Sequence, residues 1–269
     1  MSPVTNHLAL GAALHFDHVL ADDPAPLEAL IHSLFSGFVA DQLRNFYIPD
    51  DAQKAPPPSD FDPKKLVERI RTGATWLASV HSTPGTPDAE EVEISVGTVG
   101  AARSSRSLTK CRYALTGAFG PAQLARIGVS QALDAILTFA GAVAVRAGVL
   151  HWATTTVYAS CLASGGGSNQ LTREQNSHIT DLLYWQPRWG NVIRGPQWGT
   201  FLAAEHVRAL GGIDAITRES GCARVIALRS GGAFLQATAL DEPIVEDTNN
   251  EASMARLAAY LTPVMGRRT

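Results

Sequence analysis

The hydrophobic period of this chain switches between two and about 3.6 residues along its length, which restricts it to folds that mix strands with helices. Leu8, Leu10, Ala12, Leu14 and Phe16 alternate with small or polar residues, so residues 7–17 predict a strand with one buried face. Asp22-Asp23-Pro24 then supplies an N-cap and an early proline. Leu27, Leu30, Ile31, Leu34, Phe35 and Phe38 follow at helical spacing and predict an amphipathic helix to about Phe46.

Residues 49–60, with Pro49 and Pro56-Pro57-Pro58, read as loop. Asp62-Pro63 restarts a helix that Gly73 stops. Val92, Ile94 and Val96 alternate with Glu91, Glu93 and Ser95, and Cys111, Tyr113 and Leu115 repeat that strand pattern after a polar turn at 102–109. A long apolar helix is predicted over about 121–146, then a β-branched and aromatic strand over 149–158. This order predicts the α+β class, a mainly antiparallel sheet with helices covering one face.

Ser164-Gly165-Gly166-Gly167-Ser168-Asn169 marks a candidate sub-boundary at 164–169 within a single domain of residues 1–269. Beyond it, Thr172-x-x-Gln175 is a capping box opening a helix to about Tyr184. A strand near 197–202 and a helix ending at Gly211-Gly212 come next. Residues 222–229 and 233–238 predict a hairpin across Ser230-Gly231-Gly232. Thr248-x-x-Glu251 opens a last helix that buries Met254, Leu257, Ala258 and Leu261 before Pro263. The expectation is two loosely similar halves sharing one sheet or core.

Charge narrows the partners. Lys plus Arg number 22 and Asp plus Glu 25, a net −3, which argues against direct nucleic-acid binding and leaves room for a basic protein partner. Cys111, Cys161 and Cys222 are widely spread and have no zinc spacing, so a reducing cytoplasm is expected. Residues 1–7 hold no Lys or Arg, unlike the start of a secretory signal. The most apolar stretch, 127–145, carries Gln131 and Asp134 near its middle. An Asp at mid-bilayer costs about 2.5–3.5 kcal/mol, so this is read as a buried core helix and no membrane association is expected.

Several groupings mimic catalytic chemistry. His15-Phe16-Asp17-His18 has the residue types of a metal or acid–base cluster, but a strand sends His15 and Asp17 to one side and His18 to the other. Ser107-x-x-Lys110 matches a nucleophile motif whose S-D-N and K-T-G partners are missing. Pro87-Asp88 with Glu91-Val92-Glu93 resembles half of a Mg²⁺ nuclease site, with Glu93 where a Lys is needed. Glu205-His206 reads as a helix-start carboxylate beside a surface His. The Gly-rich stretch lacks the Lys of a phosphate loop. No catalytic, cofactor-binding or metal residue is predicted, and no cofactor.

What remains is surface suited to a protein partner. Tyr184-Trp185-Gln186-Pro187-Arg188-Trp189-Gly190 is a turn whose Trp185, Arg188 and Trp189 are hot-spot residue types, although each Trp could equally cap the core edge. Glu90, Glu91 and Glu93 form one candidate acidic patch, and Asp241, Glu242, Glu246 and Asp247 another.

The C-terminal third carries a pattern. It comprises Arg194-Gly195-Pro196-Gln197-Trp198-Gly199-Thr200-Phe201-Leu202, then Ala209-Leu210-Gly211-Gly212, then Gly231-Gly232 with Leu235. Asp247-Thr248-Asn249-Asn250 follows, leading into a helix that ends Leu261-Thr262-Pro263-Val264. This resembles the bacterial immunity protein 52 family and the neighbouring type VI secretion immunity family. The Tyr-Trp-Gly of the first family is replaced by Ala12-Ala13-Leu14. The resemblance implies a small non-enzymatic α+β protein that binds and neutralises a co-encoded toxin, for the first family a nuclease of restriction-endonuclease-like fold. It carries over no interface residues, and Trp198, Leu210, Gly211 and Gly212 are read as structural. The alternatives are an enzyme using His15, Asp17 and Ser107, or a structural component of a secretion or phage-derived assembly.

Overall fold

Strand β1 (Ala9–Phe16) is sandwiched between two neighbours in a ten-stranded sheet of order β3-β2-β4-β5-β6-β1-β7-β8-β10-β9. The computed structural model describes residues 8–18, 20, 22–35, 43–49, 59–60, 62, 64–65, 68, 75–82, 92–98, 113–164, 168–183, 196–240 and 251–265. The other strands are β2 (Leu43–Pro49), β3 (Ser59–Asp60), β4 (Thr75–Ser82), β5 (Val92–Thr98), β6 (Tyr113–Phe119) and β7 (Val145–Ala153). β8 (Gly199–Leu202), β9 (Arg224–Ala227) and β10 (Ala233–Gln236) complete it. Every neighbouring pair is antiparallel, and β7 pairs with β8, so one sheet runs through both halves of the chain. The protein is α+β.

All eight residues of β1 are buried, where the alternation predicted one buried face. Helices cover both sides of the sheet here. Leu10, Ala12, Leu14 and Phe16 join the main core with α1 (Ala25–Phe35), α2 (Pro121–Ile127) and α3 (Val129–Ala142). Phe16 meets Phe139 edge-on with ring centroids 5.5 Å apart. On the opposite side Ala9 packs with Ala118, Ala153 and residues of α4 (Thr156–Ser164), including Ala159 and Leu162. Small side chains on the face expected to be unburied are here a seat for a helix.

Three predicted elements change type or length. The first helix ends at Phe35, and Phe46 lies in β2. Residues 43–49 are extended, and pairing with β4 takes up their backbone groups. The helix predicted over 121–146 is two helices broken at Gly128, whose φ of +82° suits glycine, and Arg146 belongs to β7. The strand predicted to run to Tyr158 stops at Ala153. Thr155 Oγ1 accepts from Tyr158 N at 3.1 Å and starts α4 instead. Strand β4 was not predicted, and β3 lies inside the predicted loop.

Other signals are realised closely. Thr172 N donates to Gln175 Oε1 at 2.9 Å and Gln175 N to Thr172 Oγ1 at 3.2 Å, a reciprocal capping box at the start of α5 (Arg173–Leu183). Asp62 Oδ1 accepts from the amides of Lys64 and Lys65, the predicted cap. The hairpin β9–β10 turns through Arg229-Ser230-Gly231, with Gly231 N donating to Leu228 O and Gly231 at φ +83°.

After β8 come α6 (Ala204–Ala209) and α7 (Ile213–Glu219), and α8 (Glu251–Leu261) precedes a 3₁₀ turn at Thr262–Val264. These helices share a second core of Leu202, Val207, Ile216, Leu235, Leu257, Leu261 and Val264. In α8, Leu257 and Leu261 are buried as predicted, while Met254 and Ala258 are half-buried. No helix among the described residues is long and apolar enough to cross a membrane.

Candidate interaction surface

The residues resembling a catalytic cluster part company. His15 is buried in β1 opposite Ala114 and Ala147, while Asp17 lies beyond the strand. His18 Nε2 sits 3.0 Å from Asp23 O, and its carboxylate partner is Asp23 at 3.7 Å. Asp17 instead pairs with Arg146, whose guanidinium also contacts Glu205 at 2.9 Å. The register of β1 and β7 slips between His15 and Phe16, so Arg146 is the extra residue of a bulge. The slip returns Val145 to the core with Leu150 and Trp152 and leaves Arg146 half-exposed, tying β1, β7 and α6 together.

Glu205-His206 needs correction. His206 is 3% exposed, not a surface group, and its Nδ1 accepts from Ala203 N at 3.2 Å. It stands three residues after the cap, where a Glu or Gln usually closes a capping box. Trp198 is the buried anchor expected of it, 4% exposed and edge-on to Trp152 at 5.4 Å. Gly211 and Gly212 have φ of +87° and +92° and end α6 through bonds to Arg208 O and Val207 O.

Of the predicted partner-binding residues, Glu93 lies in β5, in register with His81 and Ala118. Glu90, Glu91, Trp185, Arg188, Trp189, Asp241, Glu242, Glu246 and Asp247 lie outside the described residues, as do Ser107 and Lys110.

A concavity among the described residues lies elsewhere. A cleft of about 790 Å³ opens where α6, α7 and α8 all reach their C-terminal ends. Ala209 and Leu210 form one wall, Ala259 and Tyr260 the other, with Glu219 on the rim and Thr262, Pro263 and Met265 beyond. Of its lining, Leu210, Tyr260 and Met265 pack against the second core. Tyr260 Oη donates to Leu210 O at 3.4 Å, a long bond across the cleft. Burial raises the Tyr260 phenol above its ordinary range; Glu219 and then Cys222 push the same way, and Arg218 opposes them. Burial likewise raises the nearby Cys222 thiol, partly countered by a hydrogen bond from Ser220. Both groups are therefore neutral around pH 7. Arg218 contacts Glu219 at 3.5 Å, and both side chains are well exposed. A second, smaller groove of about 260 Å³ runs between α1 and α3, with Asp134, Gln131 and Thr138 on its edge.

Sequence reasoning missed the cleft. The period of α8 placed Leu257 and Leu261 inward, which puts Tyr260 at the flank, but α7 was not predicted and nothing linear linked Glu219 to Tyr260.

The fold is found in a solved structure that aligns over nearly the whole chain. The Pseudomonas aeruginosa T6SS protein PA0821 is similar with a TM-score of 0.60 at 14% identity, over 96% of this chain and 73% of that one. The two share a fold. No family model and no curated protein matches this chain. The resemblance to the immunity protein 52 family thus rests on the quoted motif residues alone, and the structural likeness is to a T6SS protein without extending to that family.

Proposed function

We propose that this chain is a cytoplasmic immunity protein that binds a co-encoded type VI secretion toxin and neutralises it stoichiometrically, without catalysis. The observation that carries the reading is the fold shared along 96% of the chain with a T6SS protein. The motif residues around Trp198 and Gly211-Gly212 point the same way. The toxin we propose is a DNase of restriction-endonuclease-like fold. A nuclease site faces DNA and is therefore positive, so an inhibitor of net charge −3 gains steering and complementarity. Glu90, Glu91, Glu93, Asp241, Glu242, Glu246 and Asp247 would meet that charge, with Trp185, Arg188 and Trp189 as anchors.

The test is co-expression with the product of the adjacent gene, affinity pull-down and a DNA-degradation assay. Co-purification in a fixed ratio with loss of nuclease activity is the expected result. A toxin that ignores this chain and still degrades DNA would sink the reading.

A further inference from the structure

We infer that an internal water-binding site lies where β7, β8 and β10 end together, with one water bridging Trp152, Trp198 and Gln236. The water accepts from both indole N–H groups and donates to Gln236 Oε1. This inference stands apart from the binding reading above. Trp152 is 1% exposed, Trp198 4% and Gln236 3%. Trp152 Nε1, Trp198 Nε1 and Gln236 Oε1 each lack a hydrogen-bond partner within the protein. An indole can only donate. Gln236 Nε2 donates to Thr238 O at 2.7 Å, which fixes the amide with its oxygen as the group left over. Polar groups shut away from solvent in this way are satisfied by ordered water.

The three groups belong to one place in the fold. Leu150, Gly199 and Gln236 stand in one register row across β7, β8 and β10. Trp152 lies two residues beyond Leu150, and both pack in the main core with Trp198 and with Phe234, which shares a face of β10 with Gln236. Trp198 immediately precedes Gly199, its carbonyl accepts from Ala237 N at 2.8 Å, and its ring is edge-on to Trp152 at 5.4 Å. The β7–β8 ladder stops at Leu150 and Gly199, although β7 runs on to Ala153. A bridging water carries the seam between these strands past the last ladder pair, through side chains.

The chemistry of the groups selects the ligand. Two donors and one acceptor call for a neutral molecule that both accepts and donates. A cation would meet the positive ends of two N–H bonds, and an anion would meet the Gln236 oxygen. A partner's side chain does not reach groups that are at most 4% exposed. Water bonded to all three makes about the three hydrogen bonds usual for an internal site.

The test is a crystal structure of the full chain at a resolution that shows ordered water, joined to NMR of the indole N–H groups. A single density peak about 2.7–3.2 Å from Trp152 Nε1, Trp198 Nε1 and Gln236 Oε1 is expected. In solution both indoles should show cross-relaxation to water with the sign of a long-lived contact. Gln236→Leu removes the acceptor, and the water contact at both indoles should then fall by about half or more. Density that touches only one of the three groups would overturn the bridge, as would a protein oxygen accepting from either indole. Unchanged water contact in Gln236→Leu would take Gln236 out of the site and also overturn it. Density larger than a water would assign the site to another small molecule, against the proposal.

Discussion

Gly11 and His151 face each other across β1 and β7, and the imidazole of His151 fills the space where a side chain at position 11 would stand. His151 is 2% exposed, and its Nε2 lies 3.0 Å from the carbonyl of Ala159 in α4. The ring thus bridges sheet and helix over a strand that has no side chain at that point. This fixes how closely α4 can approach.

Gly11→Ala should therefore be among the most damaging single-methyl changes in the chain. Its Cβ would overlap the His151 ring and press on the Ala159 carbonyl, neither of which can move freely. Overpacking of this kind costs about 1–3 kcal/mol. Urea unfolding measures it, and an unchanged midpoint would contradict the packing described.

Trp198→Ala should cost about 3–5 kcal/mol, because the indole is buried and packed edge-on against Trp152. Trp198→Phe keeps a ring and should lose clearly less. Equal losses from the two would mean that the aromatic contact contributes nothing.

Arg146→Ala should be mild by comparison. Arg146, Asp17 and Glu205 are all a third to a half exposed, so the pairs together are worth about 0.5–1 kcal/mol and fade with salt. A loss that is large and independent of salt would show the bulge itself, not the ion pairs, to be the source of stability.

Ala144 has φ of +51°, in the left-handed region that disfavours side chains, and is exposed. Ala144→Gly removes that strain while adding freedom to the unfolded chain, and a net gain of about 0.5–1 kcal/mol is expected. Thermal melting decides it, since a fall in Tm would be the opposite sign.

Stability should decline in mildly alkaline solution. Burial raises Cys222 and Tyr260, so the unfolded chain releases these protons at lower pH than the native one. The native state then holds more protons above about pH 8.5, and stability falls as pH rises through that range. Cys222→Ser should flatten the first part of the decline in urea midpoints between pH 7 and 10. An unaltered slope would assign the decline to other groups.

Much of this fold could be read locally. The Thr172–Gln175 box, the Asp62 cap, the Gly211-Gly212 stop and the turn expected across Ser230-Gly231-Gly232, closed by Gly231 N on Leu228 O, each depend on bonds within a few residues, so short patterns foretell them. Residues 43–46, expected in a helix, and 156–158, expected in a strand, each take the other form. Pairing with β4 decided the first and packing of α4 on small residues of β1 the second. The cleft was illegible because its walls come from α6, α7 and α8, separated in sequence and joined by the second core.

The sequence by itself determined the mixed α+β class, the Thr172–Gln175 and Asp62 caps, the Gly211-Gly212 stop, the buried Trp198 and a net charge of −3. Tertiary structure alone decided that β1 is covered on both faces, that Arg146 leaves the ladder to meet Asp17 and Glu205, and that three helix ends meet at Tyr260 and Glu219. The division has a physical cause. Caps and turns are satisfied by neighbours in the chain, whereas burial of a second sheet face and convergence of helix ends require contacts between distant segments, whose energies a local pattern does not contain.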